Sequence, residues 1–328
     1  MNLKKYAAAM MVSSILLTGC SSGSSDIKQK DGKDIVASLT DKNIYADDIF
    51  GELIKSSAGE NAYFNAVLEE LIDKKCPVDD AMETDADMIV ESTENVYKNQ
   101  YGENATTQLE TDLASSGFKD MDDYRASIIK SLQSAKFLET YVNAHYDEIF
   151  EDYYTYGTPR TLSMIKVTMT DVENPTEEET AKLEEVKALV QTSKDFGEIA
   201  AEYSDHENSK ENNGKLGVVD TTSSLSSDYG ADVSTAALSL TEGQVSEAIK
   251  GTGGYYILKC DSTDKDVIKD KIKNLGIDTP LISYDSYLVY TVFKSYTLTY
   301  KDDEVKEIVE GVVEKALQKR EEARGGTE

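Results

Sequence analysis

Two apolar runs set the frame within which this chain has to fold. The first, TLSMIKVTM at residues 161–169, alternates loosely between apolar and small or polar side chains. The second, GYYILK at residues 254–259, is nearly continuous in apolar and aromatic side chains. Short runs of this kind, bounded by Gly and Pro, read as strands. Between them stand a helix-patterned segment ending in DFGEIAAEYS (195–204), a polar loop closed by GKLG (214–217), a small-residue patch AALSL (236–240) and a turn TEGQVS (241–246). Strand, helices, turn and strand in that order make a small α+β domain, expected over residues 158–262.

The segments on either side read as mainly helical. Residues 34–45 carry Ile35, Val36, Leu39 and Ile44 in loose alternation and predict an edge strand or hairpin arm. Helices are expected at 46–55, 61–75, 79–101, 107–116 and 120–150, the last with an interruption near Asn143 to His145. Phe64, Val67, Leu68, Leu71 and Ile72 share one face of the second. The aromatics Tyr146, Phe150, Tyr153, Tyr154 and Tyr156 admit two readings, an exposed binding surface or ordinary core. After the central domain, the pattern predicts a helix at 264–275, a helix followed by a strand at 295–300, and a helix at 302–320 with Val305, Ile308, Val309, Val312, Val313, Ala316 and Leu317 as its buried stripe. The strand is expected to pair near residues 35–39.

The first residues have a different character. Lys4 and Lys5 precede a short apolar run that ends in Leu17-Thr-Gly-Cys20. A basic start, a short apolar stretch and a small-residue junction mark an export signal, and the run is too short to span a bilayer. The Leu-x-Gly-Cys ending resembles the lipobox of bacterial lipoproteins, which implies removal of residues 1–19 and diacylation of Cys20. Two acyl chains give a stable anchor at about 0.8 kcal/mol per buried methylene. Residues 20–33 then form a Ser/Gly-rich tether.

The chain carries 62 acidic against 34 basic residues, a formal net charge of −28. Phosphates would be repelled, so nucleic acid is excluded as a partner. Adhesion to anionic lipid is likewise disfavoured, which leaves attachment to the acyl chains. Two histidines and no Cys/His cluster give no zinc site. Cys76 and Cys260 fall in different expected domains, and a disulfide between them is not expected.

The blocks S-x-I-x-V, DF-x-E-x-A-x-x-YS, G-x-LG, AA-x-x-L-x-x-G-x-VS-x-x-I and GY-x-I-x-K occur here in that order. Together they resemble the parvulin family of peptidyl-prolyl isomerases. With its flanks and leader, the whole resembles the PrsA-type foldase lipoproteins, which are related to the SurA-like chaperones. The resemblance implies a parvulin-like domain, a small antiparallel sheet with surrounding helices, inserted in a mainly helical chaperone lobe. That lobe would be formed by residues 34–157 and 263–328. It implies peptidyl-prolyl cis-trans isomerase activity without a cofactor, at the outer face of the bacterial cell membrane. The implied partners are unfolded or newly exported polypeptides with X-Pro bonds. The alternative is a non-catalytic holdase on a degenerate parvulin scaffold. Oligomeric state is left open, a dimer included.

Parvulins surround the reacting bond with two histidines and a cysteine or aspartate, and line the proline pocket with Leu, Met and Phe. Carried over residue by residue, the histidine positions are Met164 and Tyr256, so both histidines are replaced. The Cys/Asp position is His206. The pocket leucine is Leu216, and the pocket Met and Phe fall on Tyr229 and Val233. The loss of the histidine pair implies weak catalysis. His206 is either a titrating group of the site or a solvated loop residue, and Tyr256 either donates a hydrogen bond or simply packs.

Overall fold

The structure is a computed structural model that describes residues 29–30, 33–38 and 42–325. The leader, the lipobox with Cys20 and most of the expected tether lie outside the described residues. The chain divides into two compact units: one holds the residues up to Tyr141 and from Tyr287 onward, the other Val142–Ser286.

The first unit begins with strands β1 (Gln29–Lys30), β2 (Lys33–Ser38) and β3 (Asn43–Tyr45), paired antiparallel with β2 in the middle. Helices α1 (Ala46–Ile54), α2 (Ser57–Lys75), α3 (Asp80–Tyr101), α4 (Ala105–Ser115) and α5 (Met121–Ala144) follow. Their starts are written in the sequence. Ser56 Oγ accepts the Gly59 amide at 3.1 Å to open α2, and Asp79 Oδ1 accepts the Met82 amide at 2.9 Å to open α3. Each satisfies an amide that has no partner within its helix. Gly102, at φ 56°, ends α3.

Chain ends far apart in sequence share one aromatic core here. Phe64 of α2 stacks on Tyr290 at 4.8 Å and packs on Phe293 at 5.0 Å, both on α14 (Leu288–Lys294). Phe137 of α5 stacks on Tyr296 at 5.6 Å. Helix α15 (Asp303–Ala323) buries Val309, Val312, Val313 and Ala316, and its Lys315 reaches Glu60 of α2 at 2.9 Å. The strand expected at 295–300 is not formed, and both sides of β2 are already taken by β1 and β3. Tyr296 instead inserts its ring against Phe137, with the Lys75 ammonium 5.2 Å from its centroid. Packing of the tyrosine outweighed the alternation that suggested a strand.

The second unit begins at Val142, in the last turn of α5, and after the break at His145 continues with α6 (Tyr146–Tyr156). Strand β4 (Arg160–Thr168) follows, then α7 (Glu177–Leu189), α8 (Phe196–Tyr203), α9 (Glu207–Glu211), β5 (Lys215–Val219), α10 (Leu225–Tyr229), α11 (Ala231–Ser239), β6 (Ile249–Gly251) and β7 (Gly254–Ser262). Helices α12 (Lys265–Ile272) and α13 (Pro280–Ser283) close it. The antiparallel sheet has the order β5-β4-β7-β6. This is the expected α+β domain within a mainly helical chain. Strand β4 is buried on both faces, which explains its nearly unbroken apolar run. Leu162 and Met164 point to a core with Val219, Val233, Leu240, Tyr256 and Leu258. Ile165 and Val167 point to the opposite core with Leu183, Val186, Phe196 and Ile199.

The aromatic run of α6 belongs mostly to this unit's interior. Phe150 and Tyr153 are buried, while Tyr154 donates to Thr263 O at 2.7 Å and Tyr146 to Lys269 O at 3.2 Å. Only Tyr156, 45 % exposed, keeps the client-facing alternative within the run. Cys76 and Cys260 are free thiols.

The buried Tyr153 hydroxyl donates to Asp220 Oδ2 at 2.9 Å, and Asp220 is itself buried beside β5. Burial, with Asp220 second, raises the Tyr153 pKa, so the phenol stays protonated as the donor. Tyr153→Phe leaves that carboxylate oxygen short of a partner and is expected to cost about 1–3 kcal/mol in a denaturant melt. An unchanged midpoint would show that α6 is held by its apolar contacts alone.

Candidate functional site

The face of the sheet carrying Met164 gathers the residues singled out from the sequence. Strand β4 supplies Met164, β7 supplies Tyr256 and α11 supplies Val233, all three fully buried in one cluster. Leu216 of β5 and Tyr229 at the end of α10 pack against it while remaining partly open. His206, in the loop between α8 and α9, joins through Tyr229. The two rings meet edge to face at 5.7 Å, with the Tyr229 hydroxyl 3.4 Å from His206 Nε2. The Tyr229 and Tyr256 rings lie 5.4 Å apart. The structure therefore brings all six residues together. A surface cleft of about 230 Å³, lined by Val190, Ser246, Ala248 and Ile257 among others, includes none of them.

Local chemistry explains the positions. Ser204 is fully buried, and its Oγ accepts the amides of Lys166 at 3.2 Å and His206 at 3.3 Å. The Asp205 amide donates to Lys166 O at 2.8 Å. These bonds clamp the His206 loop to the flank of β4. Gly214, at φ 83°, passes so close to α8 that a Cβ would lie 2.9 Å from the Ala200 methyl. From there its carbonyl accepts the Met164 amide at 2.8 Å. Gly251 faces Tyr229, Tyr256 and Val233 at once: a Cβ there would lie 2.2 Å from Tyr229 O and 2.8 Å from both Tyr256 Cε2 and Val233 Cγ2. The aromatic wall closes only because this position has no side chain.

His206 is half-buried, and its ring is engaged by the loop and by Tyr229. Its Nδ1 accepts the Ser209 amide at 3.2 Å and so caps α9. That bond requires an unprotonated Nδ1, which leaves the proton on Nε2, facing Tyr229. Burial, and then the nearby Lys166 ammonium, lower the His206 pKa below its ordinary value. Burial, and then Tyr229, raise the Tyr256 pKa to about 12. Burial, and then Asp228, raise that of Tyr229. All three rings are neutral at pH 7. Tyr256 donates to Thr252 O at 2.6 Å, so its hydroxyl is committed to the β6–β7 turn. Neutral aromatic groups around an apolar floor suit the holding of an apolar ring rather than proton transfer.

Residues 164–262 match the model of the rotamase family, described as the PPIC-type PPIASE domain. The chain carries a parvulin domain. Along its length it is similar to the foldase protein PrsA of Staphylococcus aureus (strain Newman), 27 % identical over 99 % of this chain and 97 % of that protein. Among solved structures, the foldase protein PrsA of Streptococcus pneumoniae aligns over 84 % of this chain and 98 % of its own, at 21 % identity and a TM-score of 0.42. NmPin, the parvulin of Nitrosopumilus maritimus, aligns over 32 % of this chain and 96 % of its own, at 24 % identity and a TM-score of 0.25. The parvulin resemblance read from the sequence blocks thus holds, as does the similarity to PrsA-type foldases.

Three residues of the parvulin domain's site escaped the sequence reading. Lys166 had a signal, being the single charge in the run at 161–169. Ser204 and Gly251 had none beyond their residue type, since their roles depend on contacts across the fold.

The neutral His206 makes stability depend on pH. Its depressed folded pKa means that the unfolded chain binds the proton first as pH falls. The stabilisation is fully present above the unfolded value, about 6.5, and is lost as pH falls from there through the folded pKa. His206→Asn retains a capping acceptor without a titrating ring. Between pH 7.5 and 5.5 the wild type is expected to lose more thermal stability than His206→Asn, and equal losses would contradict the neutral, Nε2–H form.

Proposed function

We propose that this protein is a membrane-anchored foldase outside the cytoplasm that assists exported polypeptides, with weak peptidyl-prolyl isomerase activity in its parvulin domain. The observation that carries the reading is the convergence of Met164, Leu216, Tyr229, Val233 and Tyr256 on one apolar cluster with His206 at its edge. Leu216 and Tyr229, partly open at the edge of that cluster, are the members against which a proline ring would rest. Rotation about the X-Pro amide has a barrier of about 20 kcal/mol set by resonance. The twisted amide has lost the charge separation that resonance brings, so an apolar surrounding penalises it less than the planar form. No covalent step and no cofactor are required.

Weak rather than strong catalysis follows from the polar groups. Met164 offers no donor, and the Tyr256 hydroxyl is held by Thr252 O. Only the His206–Tyr229 pair faces the reacting bond in this reading. Its contribution falls on the order of a hundredfold below that of a full hydrogen-bonding network, a few kcal/mol. The same facts support the second reading, a non-catalytic holdase. The partners are extended, proline-containing chains in either case.

A protease-coupled assay on a prolyl peptide is expected to show a slow wild type, and a faster Met164→His/Tyr256→His variant that keeps a cooperative melt. Suppression of client aggregation should be the same in both. A fast wild type abolished by His206→Ala would make His206 the catalytic group. No acceleration by either protein would leave the holdase.

Anchoring is proposed through Cys20. No helix among the described residues is long and apolar enough to cross a membrane, and the Leu17-to-Cys20 ending supplies a lipid attachment point. Labelled fatty acid should enter the wild type and not Cys20→Ala. Equal incorporation, or none, would refute the anchor.

A further inference from the structure

Strands β4 and β7 form a ladder of side-chain pairs on the face that carries the site. Leu162 stands opposite Cys260, Met164 opposite Leu258 and Lys166 opposite Tyr256. The first two rungs are fully buried and apolar. The third places an ammonium on the same row. Lys166 Nζ lies 5.7 Å from the Tyr256 ring centroid, close to the Gly253 turn.

Among the described residues no carboxylate stands within ion-pair distance of Lys166. Lys182, Lys187, Lys194, Lys250 and Lys259 of the same domain each hold one, and Lys210 and Lys215, which do not, are exposed to water. Asp205, whose amide donates to Lys166 O, directs its carboxylate to Lys182 at 2.6 Å and to the Thr168 amide at 2.9 Å. In a chain of net charge −28, acidic groups are plentiful. The half-buried ammonium is left with an aromatic face, a weaker partner than an anion. A partly desolvated charge of this kind gains most from a carboxylate brought by a ligand.

We infer that Lys166 is a specificity-determining residue that selects clients with an acidic side chain adjacent to the proline. This rests on the proposed binding of prolyl segments at the Met164–Tyr256 face. Two residues along a strand advance about 6.6 Å, so Lys166 stands about one residue pair beyond Met164 on the same face of β4. The acidic exterior of the chain does not itself supply such a preference, since it repels acidic peptides.

The test uses short unstructured peptides with one proline flanked on either side by Glu, Ala or Lys, titrated into the purified protein by calorimetry. The Glu peptides are expected to bind about fivefold more tightly than the Ala peptides, and the Lys peptides less tightly than either, with the spread shrinking as salt is raised. Lys166→Arg should preserve the order, Lys166→Met should erase it and Lys166→Glu should reverse it, with melts confirming that each variant is folded. Reversal by charge is something a merely structural lysine would not produce. Equal wild-type affinities, or a Glu preference that survives Lys166→Met, would overturn the inference and leave the prolyl-binding reading intact. Binding of no peptide at all would overturn both.

Discussion

Strand β4 is buried on both faces, and the parvulin domain is built around that constraint. Its even-numbered side chains from Leu162 to Met164 floor the candidate site, while Ile165 and Val167 anchor helices α7 and α8 beneath it. Each fully buried apolar side chain contributes about 1.5–3 kcal/mol, so the strand cannot slip. A register shift by one residue would exchange the two faces and put Lys166 into the lower core. The site's geometry and the domain's stability are therefore set by the same row of residues.

On that rigid floor the polar groups form a short line from His206 through Tyr229 to Tyr256, whose hydroxyl ends on Thr252 O. Each member is neutral because burial disfavours its charged form. The arrangement is rich in rings and poor in free donors. It is better suited to embracing a ring than to following a moving carbonyl oxygen. The clamp by Ser204 and the close approach at Gly251 hold the line in place.

Much of this was legible in the sequence because the relevant signals are local. Alternation exposed β4, capping residues such as Ser56 and Asp79 marked helix starts, and spaced blocks singled out Met164, His206, Leu216 and Tyr256, which the fold brings into one neighbourhood. What was not legible depended on tertiary partners. Residues 296–300 alternate like a strand, yet β2 offered no free edge and Phe137 offered a ring. The tyrosines of α6 looked too dense for a core until Asp220 and the carbonyls of Thr263 and Lys269 supplied their hydroxyl partners. His206, flanked by Asp205 and Glu207, admitted both a site role and a solvated loop; Asp205 turns to Lys182, and the imidazole caps α9.

The shared aromatic core of the first unit has a temporal side. Phe64 and Phe137 find Tyr290, Phe293 and Tyr296 only after the whole of the second unit has intervened. Residues Val142–Ser286 form a compact unit from one continuous stretch of chain. A chain delivered N-terminus first thus completes its inner unit while the outer one is still waiting for its closing helices. Until then Phe64 of α2 and Phe137 of α5 stand without the rings that cover them in the finished fold.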